Sequence, residues 1–168
     1  LSHGVHRGVL KSGKIDDRIS FLKDLVSKTP DVKFDLYGID KVQPIWADHY
    51  FKTISNAKMG LNLSRGEAIK YYSSDRITQI VGNGLVCLID EKTKYRNFFN
   101  EKEMVFYKNT SDLSEKILRL SSDDKLRKKI AKNGKLKYMK YFNSDLVSKY
   151  IIDKTLGIKL NSKNLWEK

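Results

Sequence analysis

The chain has 168 residues, enough for one domain that buries roughly 70% of its unfolded surface and few for two. Apolar residues make up 40% and aromatic residues 11%, which argues against a disordered chain, and no apolar run approaches the roughly 20 residues of a membrane helix. A formal charge of +13 points to anionic partners: nucleic acid, acidic lipid or phosphorylated small molecules. The C-terminal lysines fall between apolar residues at helical spacing, so they equally describe a solvated helix face. The single cysteine, Cys87, lies inside the apolar run LVCLI as a small buried residue, which fits a cytoplasmic setting, and three scattered histidines leave no zinc-ligand spacing.

Taken in order, DDRISFLKDLVSK puts Ile19, Leu22 and Val26 on one face, with Asp16 and Asp17 in the first turn, and predicts a helix that stops before Pro30. VKFDLYG alternates Val32, Phe34 and Leu36 up to Gly38 and predicts a strand. YFKTISNA predicts a short helix, and KMGLNLS, alternating Met59, Leu61 and Leu63, a second strand. A helix is expected from about Ser74 to Val81, stopped by Gly82-Asn83-Gly84. LVCLID is a continuous apolar run, as in a strand covered on both faces. YRNFF predicts a helical turn, MVFY a last strand, and Ser111 to about Thr155 two or three helices with a break at Asn143-Ser144.

Strands alternating with helices predict an α/β fold: a Rossmann-like parallel sheet flanked by helices, with ligands bound beyond the carboxyl ends of the strands. Residues 1–157 read as one domain and 158–168 as a partly disordered tail. Leu1 in place of Met suggests a piece of a larger protein.

Three segments are expected at that edge: SHGVHRGVLKSGK, SRGEAIKYYSSD and the turn after LVCLID. The first combines Gly4, Gly8 and Gly13 with Arg7, Lys11 and Lys14. Glycines let backbone N–H groups approach an oxyanion, and cations add charge-assisted bonds. Its spacing is neither GxxxxGK[ST] nor GxGxxG, and a flexible basic loop explains it equally. The second segment, with Gly66, Glu67, Tyr72, Ser73 and Ser74, is more pointed. Ser73 or Ser74 can cap the next helix, whose first-turn N–H groups make an anion site. Yet Arg76 stands in that turn, where a cation opposes the helix dipole at a cost of roughly several tenths of a kcal/mol. A bound phosphate resolves the conflict; so does an ion pair with Asp75 or Glu67. Gln79 lies one turn on and can bond vicinal hydroxyls, while Tyr71 and Tyr72 can stack on a base or pack in the core.

The run YFKTISNAKMGLNLSRGE, SSDRITQIVGNGLVCLID, FFNEKEMVFYKNTSDLSEKILRLSSDDKLRKKIAKNGKLKYMKYF resembles the C-terminal half of a GT-B glycosyltransferase. It is most similar to the bacterial glycosyltransferase-like group named for the CgeB spore-maturation protein. The resemblance runs from about Tyr50 to Tyr141; it sets Arg76 on the family arginine and Gly84 on the glycine before the apolar strand. Gln79 takes the place of a glutamate that accepts hydrogen bonds from the ribose of a nucleotide sugar. Glutamine still bonds hydroxyls but lacks the charge. Arg7 and Lys11 lie where related enzymes place a basic pair beside the diphosphate, in a loop that carries Gly4 and Gly8.

The resemblance implies donor binding for sugar transfer from a nucleoside diphosphate sugar to a glycan or glycolipid, with no obligatory metal or other cofactor. It also implies a partner, the N-terminal GT-B domain, that usually supplies any general base; the isolated domain is then expected to be inactive. A basic face would allow peripheral contact with anionic membrane. Two other readings stay open: a basic Rossmann-like module for nucleic acid, disfavoured because basic and aromatic residues interleave only weakly in KLRKKIAKNGKLKYMKYF, and a degenerate transferase half serving protein contacts.

Overall fold

The computed structural model of the chain describes residues 10, 13–39, 41–72 and 74–160. Three strands, β1 (Met59–Asn62), β2 (Val86–Asp90) and β3 (Val105–Tyr107), form a parallel sheet in that order, with Met59 level with Val86 and Leu88 level with Val105. Parallel neighbours need a crossover connection. Helix α3 (Asp75–Gly82) supplies it between β1 and β2; two short 3-10 turns, Glu91–Thr93 and Tyr95–Asn97, lie between β2 and β3. Helices α1 (Arg18–Ser27) and α2 (Ala47–Asn56) precede the sheet, and α4 (Thr110–Ser122), α5 (Asp124–Tyr141) and α6 (Ser144–Thr155) follow it. This is the Rossmann-like α/β half-domain that the strand and helix pattern predicts.

The apolar run of β2 is explained by burial on both faces. Cys87 and Ile89 join Ile77, Ile80, Phe106 and Tyr138 on one side, while Val86 and Leu88 join Leu25, Val105, Leu113 and Ile117 on the other. Each fully buried aliphatic chain contributes roughly 1.5–3 kcal/mol, so the central strand anchors the domain. Helix α5 touches both clusters, with Ile130 in one and Tyr138 in the other. It passes so close to the backbone before β3 that a Cβ on Gly134 would lie 2.2 Å from the Glu103 carbonyl oxygen. Gly60 is needed in the same way, since a Cβ there would meet the Ile80 side chain at 2.5 Å.

Two expectations are corrected. VKFDLYG forms no strand: residues 33–36 carry no ladder partner among the described residues, and a groove of about 500 Å³ lies between this segment and β1, lined also by Leu25, Leu88 and Ile117. Alternation dictates which side chains share a face, and Val32 and Phe34 do pack on the cluster around Leu25. A ladder requires a neighbouring backbone about 4.8 Å away, which alternation does not specify. β1 forms as expected, with Met59 and Leu61 half-buried against the cluster around Leu25 and with Gly60 and Asn62 buried on the other face, towards α3. Finally, α1 begins at Arg18, which leaves Asp16 outside the helix and buried. The stop after α3 is as expected, with Gly84 at φ +74°, and Asn143 caps α6 by accepting from the Leu146 N–H.

Candidate functional site

The carboxyl end of β1 is organised by Asn62, which is only 3% exposed. A buried amide must be satisfied. Its Oδ1 accepts from Ser74 Oγ at 3.1 Å and from Arg76 Nη1 at 3.2 Å, and the same Nη1 donates to the Leu63 carbonyl at 2.8 Å. The first-turn arginine of α3 therefore bends back onto the end of the strand. Ser74 occupies the N-cap position in extended conformation, but its hydroxyl is spent on Asn62 and makes no side-chain cap. Arg76 Nε is buried with no hydrogen-bond partner. Burial lowers the guanidinium pKa, and Asp75 is foremost among the groups that oppose this. Glu67, the other carboxylate considered for Arg76, instead pairs with Lys14 at 2.9 Å, and that exposed pair holds the Glu67 carboxyl below its ordinary range.

Around this centre the cations outnumber the carboxylates. Asp16 holds Arg18 in a fork, with Nε at 2.9 Å from Oδ1 and Nη2 at 2.6 Å from Oδ2, and Arg65 Nε lies 3.6 Å from the same Oδ2. Bidentate geometry of this kind is the strong form of the pair. One carboxylate thus serves two guanidiniums, and the Arg18 charge is felt at Arg76. The loop after β1 is fixed by packing: Gly66 has φ +72° and a Cβ on it would touch Leu10 at 3.0 Å, while the Tyr71 N–H donates to the Thr93 carbonyl in the turn after β2 at 2.8 Å. All three segments expected at the carboxyl edge thus meet there through their described residues, with Leu10 and Lys14 representing the first.

The expected site residues divide accordingly. Arg76, Ser74, Gly66 and Glu67 lie on or beside this end of the sheet. Tyr72 is 52% exposed, with its N–H bonded to the Ile69 carbonyl. Gln79 is already engaged: its Oε1 accepts a short hydrogen bond from the Tyr50 hydroxyl, and its Nε2 stands 3.5 Å from Asp75 Oδ2. Gly4, Arg7, Gly8, Lys11 and Ser73 lie outside the described residues.

Sequence reasoning missed Asn62, Asp16 and Arg18 as members of the site. The signal for Asn62 was a polar side chain at the end of an otherwise apolar strand, immediately before the basic loop. Tyr107 and Cys87 back the site from beneath; burial raises the Tyr107 hydroxyl pKa and pushes the Cys87 thiol up to about 12. Among the described residues no cluster of His, Cys, Asp and Glu is arranged to hold a metal ion.

A parallel sheet flanked by helices, with a helix amino terminus and several guanidinium groups at its carboxyl edge, defines a Rossmann-like α/β half-domain. The sequence pattern of the glycosyl transferase-like family matches residues 18–153, most of the chain, and the protein belongs to that family. No curated protein and no solved structure matches it significantly.

Proposed function

We propose that this chain is the donor-binding domain of a GT-B glycosyltransferase of the CgeB-like kind, taking a sugar from a nucleoside diphosphate sugar to a glycan or glycolipid acceptor. The observation that carries the reading is Arg76: a first-turn cation tied to Asn62 and Leu63 through one nitrogen, with Nε unpartnered. A diphosphate at the start of α3 would meet that guanidinium and the backbone N–H groups of the first turn together. Both would strengthen as negative charge develops on the departing nucleoside diphosphate, which is the electrostatic form of catalysis. Gly66 lets the loop backbone approach, Ser74 and Tyr72 border the same end, and Ser73 is assigned to the site from its sequence position alone. Gly4, Arg7, Gly8 and Lys11 are assigned to the same diphosphate on the family resemblance alone.

In this reading Gln79 reaches the ribose only by exchanging one of its bonds to Tyr50 or Asp75, so it contributes less than a free carboxylate would. The acceptor and any general base belong to the N-terminal GT-B domain, and the isolated chain binds donor weakly and transfers nothing. The test is a calorimetric titration with UDP, GDP, ADP and CMP, repeated with Arg76→Ala. Saturable binding of one diphosphate, weakened roughly 10–100-fold by loss of one charge-assisted contact, is the expected result. Equal binding by the variant would overturn the assignment of Arg76.

A further inference from the structure

Helix α5 carries a surface that the donor site does not use. No acidic residue occurs from Lys125 to Tyr141. At 100° per residue, Lys128, Lys132, Lys135 and Met139 share one stripe, with Lys129 and Leu136 on its flank. All six are exposed, and the two apolar members are conspicuous, Leu136 at 61% and Met139 at 44%. The nearest acid in sequence, Asp124, is already held by Arg127 at 2.6 Å and by Lys128 at 3.9 Å. The opposite side of α5 is the packed one, with Gly134 against the Glu103 backbone and Lys137 paired to Glu103 at 2.8 Å. The stripe is therefore a lysine comb with two aliphatic chains set within it, running about 16 Å along the helix.

We infer that this face of α5 docks on an anionic lipid surface. Charge complementarity selects an anionic partner, and the aliphatic pair distinguishes among anions: a bilayer offers an apolar layer just beneath its phosphates, into which Leu136 and Met139 can dip while the lysines stay at headgroup level. Nucleic acid would favour exposed aromatic chains for stacking, and this stripe has none. The stripe lies by the carboxyl end of α3, where a Cβ on Gly82 would lie 3.6 Å from Met139 Cε and one on Gly84 3.9 Å from Lys135 Cδ, the opposite end of that helix from Arg76. The inference stands apart from the donor reading, because no residue of one surface belongs to the other.

The test is flotation of the full chain with vesicles of phosphatidylcholine alone and with phosphatidylglycerol added, at low and high salt. Binding only to the anionic vesicles is expected, with a loss of roughly 100-fold in the triple variant Lys128→Gln, Lys132→Gln, Lys135→Gln, at about one fivefold step per lysine. Leu136→Gln should cost roughly tenfold and leave the remaining binding fully reversible by salt. All four positions are exposed, and circular dichroism of the variants checks that the fold is kept. Failure to float with anionic vesicles, equal flotation with both compositions, or retention of full affinity by the triple variant would overturn the inference. A salt-dependent mobility shift with nucleic acid in the absence of flotation would replace it with the other partner.

Discussion

Arg127 and Arg76 both reach a backbone carbonyl at the end of a structural element, yet their surroundings differ. Arg127, 4% exposed, donates to the Leu120 carbonyl at 3.1 Å and meets Asp124 at 2.6 Å, so its charge is balanced within the α4–α5 corner. Arg76 donates to the Leu63 carbonyl and Asn62 from one nitrogen, has Nε unpartnered, and shares its neighbourhood with Arg18. A structural arginine is closed off by its carboxylate; the arginine at the end of β1 is left with charge to spend. The comparison separates the two ends of the fold. The packed end around Gly134 tolerates no added atom, whereas the carboxyl end of β1 holds a buried guanidinium nitrogen, Arg76 Nε, with no hydrogen-bond partner.

Substitutions can break or sharpen this contrast. The largest effects are expected where packing or pairing is complete. Gly134→Ala drives a Cβ into the Glu103 backbone and should destabilise by about 3 kcal/mol in urea unfolding, while Gly82→Ala, whose Cβ would meet only Met139 Cε at 3.6 Å, should be neutral or stabilise by about 0.5 kcal/mol. Asp16→Asn leaves Arg18 buried without its fork and should cost about 3 kcal/mol. This cost depends on pH with a definite sign. The Arg18 bond holds the Asp16 carboxyl below its usual range, so its contribution is fully present above the ordinary carboxylate value of about 4 and is lost as pH falls through the lower folded value. The gap between wild type and Asp16→Asn should therefore close on strong acidification.

Smaller effects test the two arginines directly. Arg127→Ala strands the Leu120 carbonyl and should cost about 2 kcal/mol. Arg76→Ala should cost only about 1 kcal/mol, because the desolvation of an unbalanced cation is relieved as its two bonds are lost, and its effect should appear in diphosphate binding instead. If the stability costs came out reversed, Arg76 would be the structural residue of the pair. Last, Cys87, buried with its thiol pKa near 12, should resist thiol reagents in the folded protein and react only after unfolding.

Much of this fold was legible because local chemistry and burial agreed. Gly82-Asn83-Gly84 ended α3, LVCLID declared a strand covered on both faces, and Asn143 marked the start of α6. VKFDLYG shows the limit: its alternation correctly seated Val32 and Phe34 on the core, but ladder formation depends on a neighbouring backbone that a single sequence does not identify. The site was legible in part for a similar reason. Arg76 stood out because it violates the helix dipole, and a local rule broken without local compensation signals a requirement imposed elsewhere. Asn62 is polar in a strand, a weaker violation, and the Asp16–Arg18 fork joins residues two apart, a spacing that predicts no shared face in a helix; both required the fold.

The most direct test is chemical-shift mapping of the isotopically labelled chain with UDP or GDP. Saturable shifts centred on Asn62–Gly66 and Ser74–Ile77, extending to Tyr72 and the N-terminal glycine-rich segment and absent in Arg76→Ala, are expected. Shifts centred on the lysine face of α5, or none at the start of α3 with either nucleotide, would contradict the donor site.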